Sequence, residues 1–245
     1  MMSFERGSGI GADPAAAPRL GGATTTGDVS PAMRLQILST EHWSLLASRS
    51  LAWNESFSRA GMFLSTLTGS IVALALVAQA SAFGEGFTLF ALVILPIVLF
   101  IGVTTLIRLG ASNYHEAMCV VGMNRIRAAY LALAPDLERY FVMSANDDAR
   151  GIGITMGVPP GGVGTWIGQM LAGTPTVVMI LNAVLAGVIA AVISLRIGVA
   201  VSGTLGFGAL GFVVAIVLQS LYARATISKG QGGYRPLFPT PATDR

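Results

Sequence analysis

Hydrophobic positions along this 245-residue chain fall into long unbroken runs, unlike the short alternations of a half-buried sheet. Four runs reach the about 20 residues of helix that a bilayer core needs: Met62 to Ser81, Phe87 to Leu106, Thr176 to Leu195 and Val199 to Ser220. None holds an Asp, Glu, Lys, Arg or His in its interior. Each such charge at a helix centre would oppose insertion by about 2.5 to 3.5 kcal/mol, so all four runs are expected to insert. Only "AFGEG" separates the first two and only "RIG" the last two, which predicts two tight helical hairpins, 61–110 and 174–222.

Between and around the runs the pattern changes. Residues 1–30, rich in Gly, Ala, Thr and Pro, predict a disordered tail without the basic-then-apolar order of a signal peptide. Ser30 followed by Pro31 reads as an N-cap with proline in the first turn, opening an amphipathic helix over 31–60. At 100° per residue, Leu35, Trp43, Leu46, Trp53 and Phe57 fall within about 80° of one another, with Arg34, Glu41, Glu55 and Arg59 opposite. A helix lying in lipid headgroups would carry mainly Lys and Arg on its polar face. Acids and bases balance here, so the aromatic face is expected to pack on protein, either the helix from Asn113 to Ala134 or a partner. The central segment, 111–173, is expected to continue the second run as helix to Pro135, with Asp136 and Glu138 opening a short second helix that Asn146, Asp147 and Asp148 end. From Ser144 to Gly173 follows a Gly- and Pro-rich loop, charge-free from Gly151 and carrying Trp166, suited to a membrane interface or a partner. Residues 223–245 form a second tail. The fold class is therefore all-α: a polytopic membrane protein with four transmembrane helices in two hairpins plus cytoplasmic amphipathic helices.

Composition agrees, with a mean hydropathy of +0.69 and 11% charged residues. The formal charge of +3 is spread along the chain, and no basic run points to nucleic acid. Arginines sort by side: the hairpin turns hold only Arg196, whereas Arg34, Arg49, Arg59, Arg108, Arg125, Arg127 and Arg224 flank the other ends of the runs. This places both termini and the central segment in the cytoplasm of a bacterial inner membrane. One cysteine, Cys119, leaves no intramolecular disulfide.

Candidate chemistry is sparse. "GFGALG", Gly206 to Gly211, matches a dinucleotide pattern letter for letter but lies inside an apolar run with no preceding strand, and reads as a close-packing surface. "GVPPGGVGT" has Val163 where a phosphate loop needs lysine, and "EHW" at His42 lacks the second histidine of a zinc protease. His115 and Cys119 are two ligands, too few for a closed metal site. No metal or cofactor is expected, and no nucleophile, base and orienting group stand together. Small residues recur every four positions at Gly61, Ser65, Gly69 and Ala73, and again at Ala183, Gly187 and Ala191, a spacing that lets membrane helices approach closely within a subunit or between copies. Thr68, Gln79 and Asn182 are the candidates for lining a pore, although interhelical hydrogen bonding suits Gln79 and Asn182 better, since ion pathways normally place ionisable groups at membrane depth.

The block "LQILSTEHWSLLASRSLAWNESFSRAGMFLSTLTGSIVALALVAQA", residues 35–80, and "RYFVMSANDD", 139–148, resemble an uncharacterised family of actinobacterial integral membrane proteins. That resemblance implies membrane residence and no activity. More loosely, the order of amphipathic helix, two spans and cytoplasmic helix is similar to bacterial two-span effector modules. The expected function is a non-enzymatic, self-associating or partner-binding scaffold in the lipid bilayer. The alternatives are an oligomeric channel or permeabilising pore, and a membrane-embedded enzyme.

Overall fold

A computed structural model describes residues 29–158, 173–231 and 234–241. They form α1 (Pro31–Ser81), α2 (Glu85–Leu133), a 3-10 turn (Pro135–Tyr140), α3 (Ala149–Thr155), α4 (Thr174–Arg196) and α5 (Val201–Gln231), with no strand among them. The chain is all-helical, and α1, α2, α4 and α5 are each long and apolar enough to cross a membrane.

The Ser30 hydroxyl accepts the amide of Met33 at 3.3 Å, with Pro31 in the first turn. From there α1 runs 51 residues without a break, about 75 Å at 1.5 Å per residue, more than twice the hydrocarbon thickness of a bilayer. The division drawn at residue 60 is therefore not a boundary: the amphipathic segment and the first span are one helix. A single glycine at 61 weakens a helix by about 1 kcal/mol, too little to interrupt one braced along its length by a neighbour. α2 returns antiparallel to α1 and is also unbroken, with Pro96 inside it. Each of these helices thus has a spanning part and a stalk beyond it.

The two hairpins turn differently. Ala82 and Phe83 both take left-handed backbone, φ 47° and 59°, to reverse the chain after α1, while Gly198 at φ 83° does so after α4. α2 packs on α1 and on α4, α4 packs on α5, and α5 barely reaches α2. The four long helices form an open row rather than a closed bundle, with α1 and α5 at its edges. The apolar core follows that row: Phe63 and Leu67 of α1, Leu95, Val98 and Leu109 of α2, and Val178 and Leu185 of α4.

Three boundaries beyond the spans are corrected. Asp136 and Glu138 open a 3-10 turn of six residues. Asp148 does not end a helix but starts one: its carboxylate accepts the Gly151 amide at 2.8 Å and caps α3, inside what the composition marked as loop. The second tail is not free, since α5 continues to Gln231 and residues 234–241 return to dock against the 144–148 turn. Val163 and Trp166 lie outside the described residues.

Candidate functional site

Three places concentrate interactions: the stalk of α1 against α2, a polar contact between helices at membrane depth, and the docked C-terminal segment.

In the stalk, the face of α1 that meets α2 continues the line set by Phe63 and Leu67 in the span. One helical period after another, it brings Ala60, Ala52, Arg49, Leu45 and His42 inward. Arg49 pairs with Glu116 at 3.0 Å, the Ser112 hydroxyl donates to the Ala52 carbonyl at 2.9 Å, and Leu45 fills the hollow over Gly122. Glu55 accepts from both Arg108 and Arg59, at 2.6 and 2.9 Å. His42 stacks on Tyr130, ring centroids 6.2 Å apart, and burial first and the charge of Arg127 second lower its pKa. The aromatic face is thereby turned away from 113–134, contrary to one of its two expected partners. Trp43, Trp53 and Phe57 are 68, 59 and 66% exposed, and Leu46 is exposed too. The spacing defined that face correctly, but the membrane core fixes how α1 is rotated, and α2 offers there a serine, a glutamate and a glycine that fit the alanine-and-arginine side. At the edge of the aromatic face, Trp53, Phe57, Leu109 and Asn113 enclose a cleft of about 220 Å³ with Thr174 and Pro175 at the start of α4.

The two small-residue stripes also part company. A Cβ placed at Gly61 or Gly69 would meet nothing within 4 Å; Ser65 is exposed and Ala73 half-buried, so this stripe faces away from the chain's other helices. Along the other, Ala183 is fully buried, and a Cβ at Gly187 would stand 2.8 Å from the Gly208 carbonyl oxygen. Gly211 is closed in the same way by Ala190, 2.8 Å from its missing Cβ. Gly208 and Gly211 of "GFGALG" are where α5 lies on α4, while a Cβ at Gly206 would meet nothing within 4 Å.

At membrane depth Asn182 is fully buried and donates its side-chain amide to Gln219 of α5 at 3.1 Å. Gln219 in turn donates to the carbonyls of Met179 and Ala215, at 3.3 and 3.0 Å. The remaining oxygen, Asn182 Oδ1, has no hydrogen-bond donor among the described residues. It points at the backbone of α2, because a Cβ on Gly102 would lie 1.9 Å from it. The Cα hydrogen of Gly102 faces that oxygen, a weak contact that recurs between closely packed helices. Thr68 and Gln79 are exposed on the outer side of α1, so the three pore-lining candidates share no path within one chain.

The densest polar cluster is one that no motif marked. Asp147 is completely buried and gathers the segment from Tyr234 to Pro241. Its carboxylate accepts the amides of Leu237 and Phe238 at 3.0 and 2.8 Å and the Nε of Arg125 at 2.8 Å, while the Tyr234 hydroxyl donates to its carbonyl. Asp148 takes the amide and hydroxyl of Thr240, and Asn146 donates to the carbonyls of Phe238 and Pro239. Beneath them Asn124 of α2 donates to the Asn146 carbonyl at 2.7 Å and accepts from Thr155 and Arg127. Burial alone would raise the Asp147 carboxyl, but the Leu237 amide, the Arg125 guanidinium, the Phe238 amide and Tyr234 together outweigh it and lower its pKa to about 2. The cluster is saturated with internal partners, a clamp that ties the end of α5 to α2.

Among the described residues no three or more His, Cys, Asp or Glu side chains gather where a metal ion could be held. His115 and Cys119 lie 3.7 Å apart on one turn of α2, the thiol buried. Comparison with protein-family models, curated proteins and solved structures finds no match.

Proposed function

We propose that this chain is a non-enzymatic membrane scaffold of the bacterial inner membrane, with both termini and the stalk in the cytoplasm, that holds a protein on the outer face of α1. The observation that carries this reading is the uncovered aromatic row of the stalk. Large apolar side chains clustered on a helix outside the spans mark a surface that another molecule covers. Arg49, Glu55 and Arg59 point elsewhere and are engaged within the chain. The rest of the stalk supports the same role, since the Arg49–Glu116 and Arg108–Glu55 ion pairs tie α1 to α2 and keep that face turned outward. The resemblance to actinobacterial membrane proteins fits this setting.

A photoreactive amino acid at Trp43, activated in intact cells, is expected to yield a covalent adduct with a protein. Trp43→Ala combined with Trp53→Ala and Phe57→Ala should leave detergent stability within about 0.5 kcal/mol of wild type, as for exposed positions, yet abolish assembly at a neighbouring photoreactive position such as Ser50. Labelling of lipid alone, or no adduct, sinks the scaffold reading.

A further inference from the structure

The outer face of α1 has a periodicity of its own, and it runs through the stalk and the membrane alike. Trp43, Leu46, Ser50, Trp53 and Phe57 follow one another at steps of three and four, the seam spacing of a coiled coil. One additional step of four leads to Gly61, the alternation resumes through Leu64 and Thr68, and a second added step of four leads by Val72 and Ala75 to Gln79 near the end of the helix. An inserted four is a stutter, which lets such a seam follow a straighter helix. Every one of these residues is exposed in the chain.

We propose that a second copy of this chain docks along that seam, α1 against α1 in parallel; this rests on the scaffold reading and names its partner. Copies inserted in the same sense in one membrane meet about an axis along the membrane normal, so each residue faces its own counterpart. A self-facing seam tolerates no charge, because like charges directly opposed repel. From Trp43 to Phe57, about 21 Å of helix outside the span, the seam carries none, while Glu55 and Arg59 sit on the far side of α1 paired with each other, Glu55 also holding Arg108. The composition changes where the surroundings change. In the stalk, where water drives association, the seam is tryptophan, leucine and phenylalanine. In the span, where lipid is as apolar as leucine, it turns to Gly61, Thr68 and finally Gln79, the small and hydrogen-bonding residues that join membrane helices.

Lipid does not serve as occupant along the whole face. Trp43 lies 18 residues before Gly61, about 27 Å along the axis, beyond the headgroup layer of about 5 to 8 Å on each side of the core. α1 also lies at the edge of the open row, packed on α2 alone among the long helices apart from the cleft that Trp53 and Phe57 line with the start of α4.

Single cysteines in a Cys119→Ser background, oxidised in native membranes, test the seam. Ser50→Cys, Gly61→Cys and Thr68→Cys should each give a disulfide-linked dimer. Ser44→Cys and Thr66→Cys, exposed on α1 but about 80° or more away from every seam position, should give at least ten-fold less. Dimer at all five positions alike, or at none of the first three, overturns the proposal. If those three fail while the photoreactive residue at Trp43 labels a different protein, the seam falls and the scaffold stands. If neither forms a protein adduct, both fall.

Discussion

In the hairpin of α4 and α5 the backbones themselves touch, Gly187 lying against the carbonyl of Gly208, whereas α1 and α2 are held apart by Phe63, Leu67 and Leu95. Both hairpins carry small residues at four-residue spacing, yet one stripe is consumed inside the chain and the other is left facing out. The difference lies in what stands opposite. α5 presents Gly208 and Gly211 to the alanines and glycine of α4, so two smooth surfaces close together. α2 presents Gly102 amid leucine and valine, and α1 is rotated so that the ring of Phe63 fills the hollow over that glycine, 2.7 Å from its missing Cβ. A small-residue stripe is therefore a statement about a pair of helices, and the sequence of one alone does not say whether the pair lies within the chain.

The hairpins also differ in how they are tied to each other, and the strongest tie is outside the membrane. Asp147→Ala removes the carboxylate that holds Arg125 and two amides of the C-terminal segment. Leaving one partner of a buried ion pair uncompensated destabilises by about 3 to 5 kcal/mol, and the lower figure fits here because Arg125 is partly open to water. Hydrogen exchange should report the loss first at the amides of Leu237, Phe238 and Thr240, with α4 against α5 unchanged. The same clamp has an acid limit. The folded pKa of Asp147, about 2, is depressed below the ordinary 3.8, so its contribution is fully present above pH 3.8 and is lost as the pH falls through 2. A clamp that loosened on raising the pH from 4 to 7 would contradict the assigned partners.

A smaller effect breaks the comparison directly. Gly187→Leu forces a side chain into a space where even a Cβ stands 2.8 Å from a carbonyl oxygen, and overpacking of this kind costs typically about 1 to 3 kcal/mol. Gly69→Leu, with nothing within 4 Å, should stay within about 0.5 kcal/mol of wild type. Thermal unfolding in one detergent measures both, and equal losses would mean that the two stripes are equivalent after all.

Much of this architecture was legible in the chain. The four spans, the two tight turns, the Ser30 cap and the continuation of α2 to the edge of Pro135 follow from uninterrupted apolar runs and local stop signals. What escaped is non-local. Asp147 meets Leu237 across 90 positions, and nothing in "SANDD" or "YRPLFPTP" announces the other, because the recognition is through backbone amides that every residue but proline has. The facing of the Trp43 row was also hidden, since periodicity gives a face but not a direction. Gln219 was partly within reach: α4 and α5 turn at Gly198, so counting outward sets Val214 opposite Asn182, and Gln219 is the next amide side chain along α5, long enough to reach back.

That pair provides the finest test. In bilayer proteins a side-chain hydrogen bond between helices averages about 0.6 kcal/mol and rarely exceeds 1.7, so Asn182→Ala and Gln219→Ala, singly and together, should show a coupling in that range. The third helix of the contact makes the test specific. In Gly102→Ala the new methyl group would lie 1.9 Å from Asn182 Oδ1 and 2.7 Å from the ring of Phe63, so α2 must move away from α4 or Asn182 must leave its place. Adding Asn182→Ala removes the first collision and keeps the second. The double variant should therefore recover part of the stability lost in Gly102→Ala, the remainder being set by Phe63. Simple additivity of the two losses would mean that Gly102 and Asn182 do not touch, and the row of helices would have to be held at that depth by the apolar core alone.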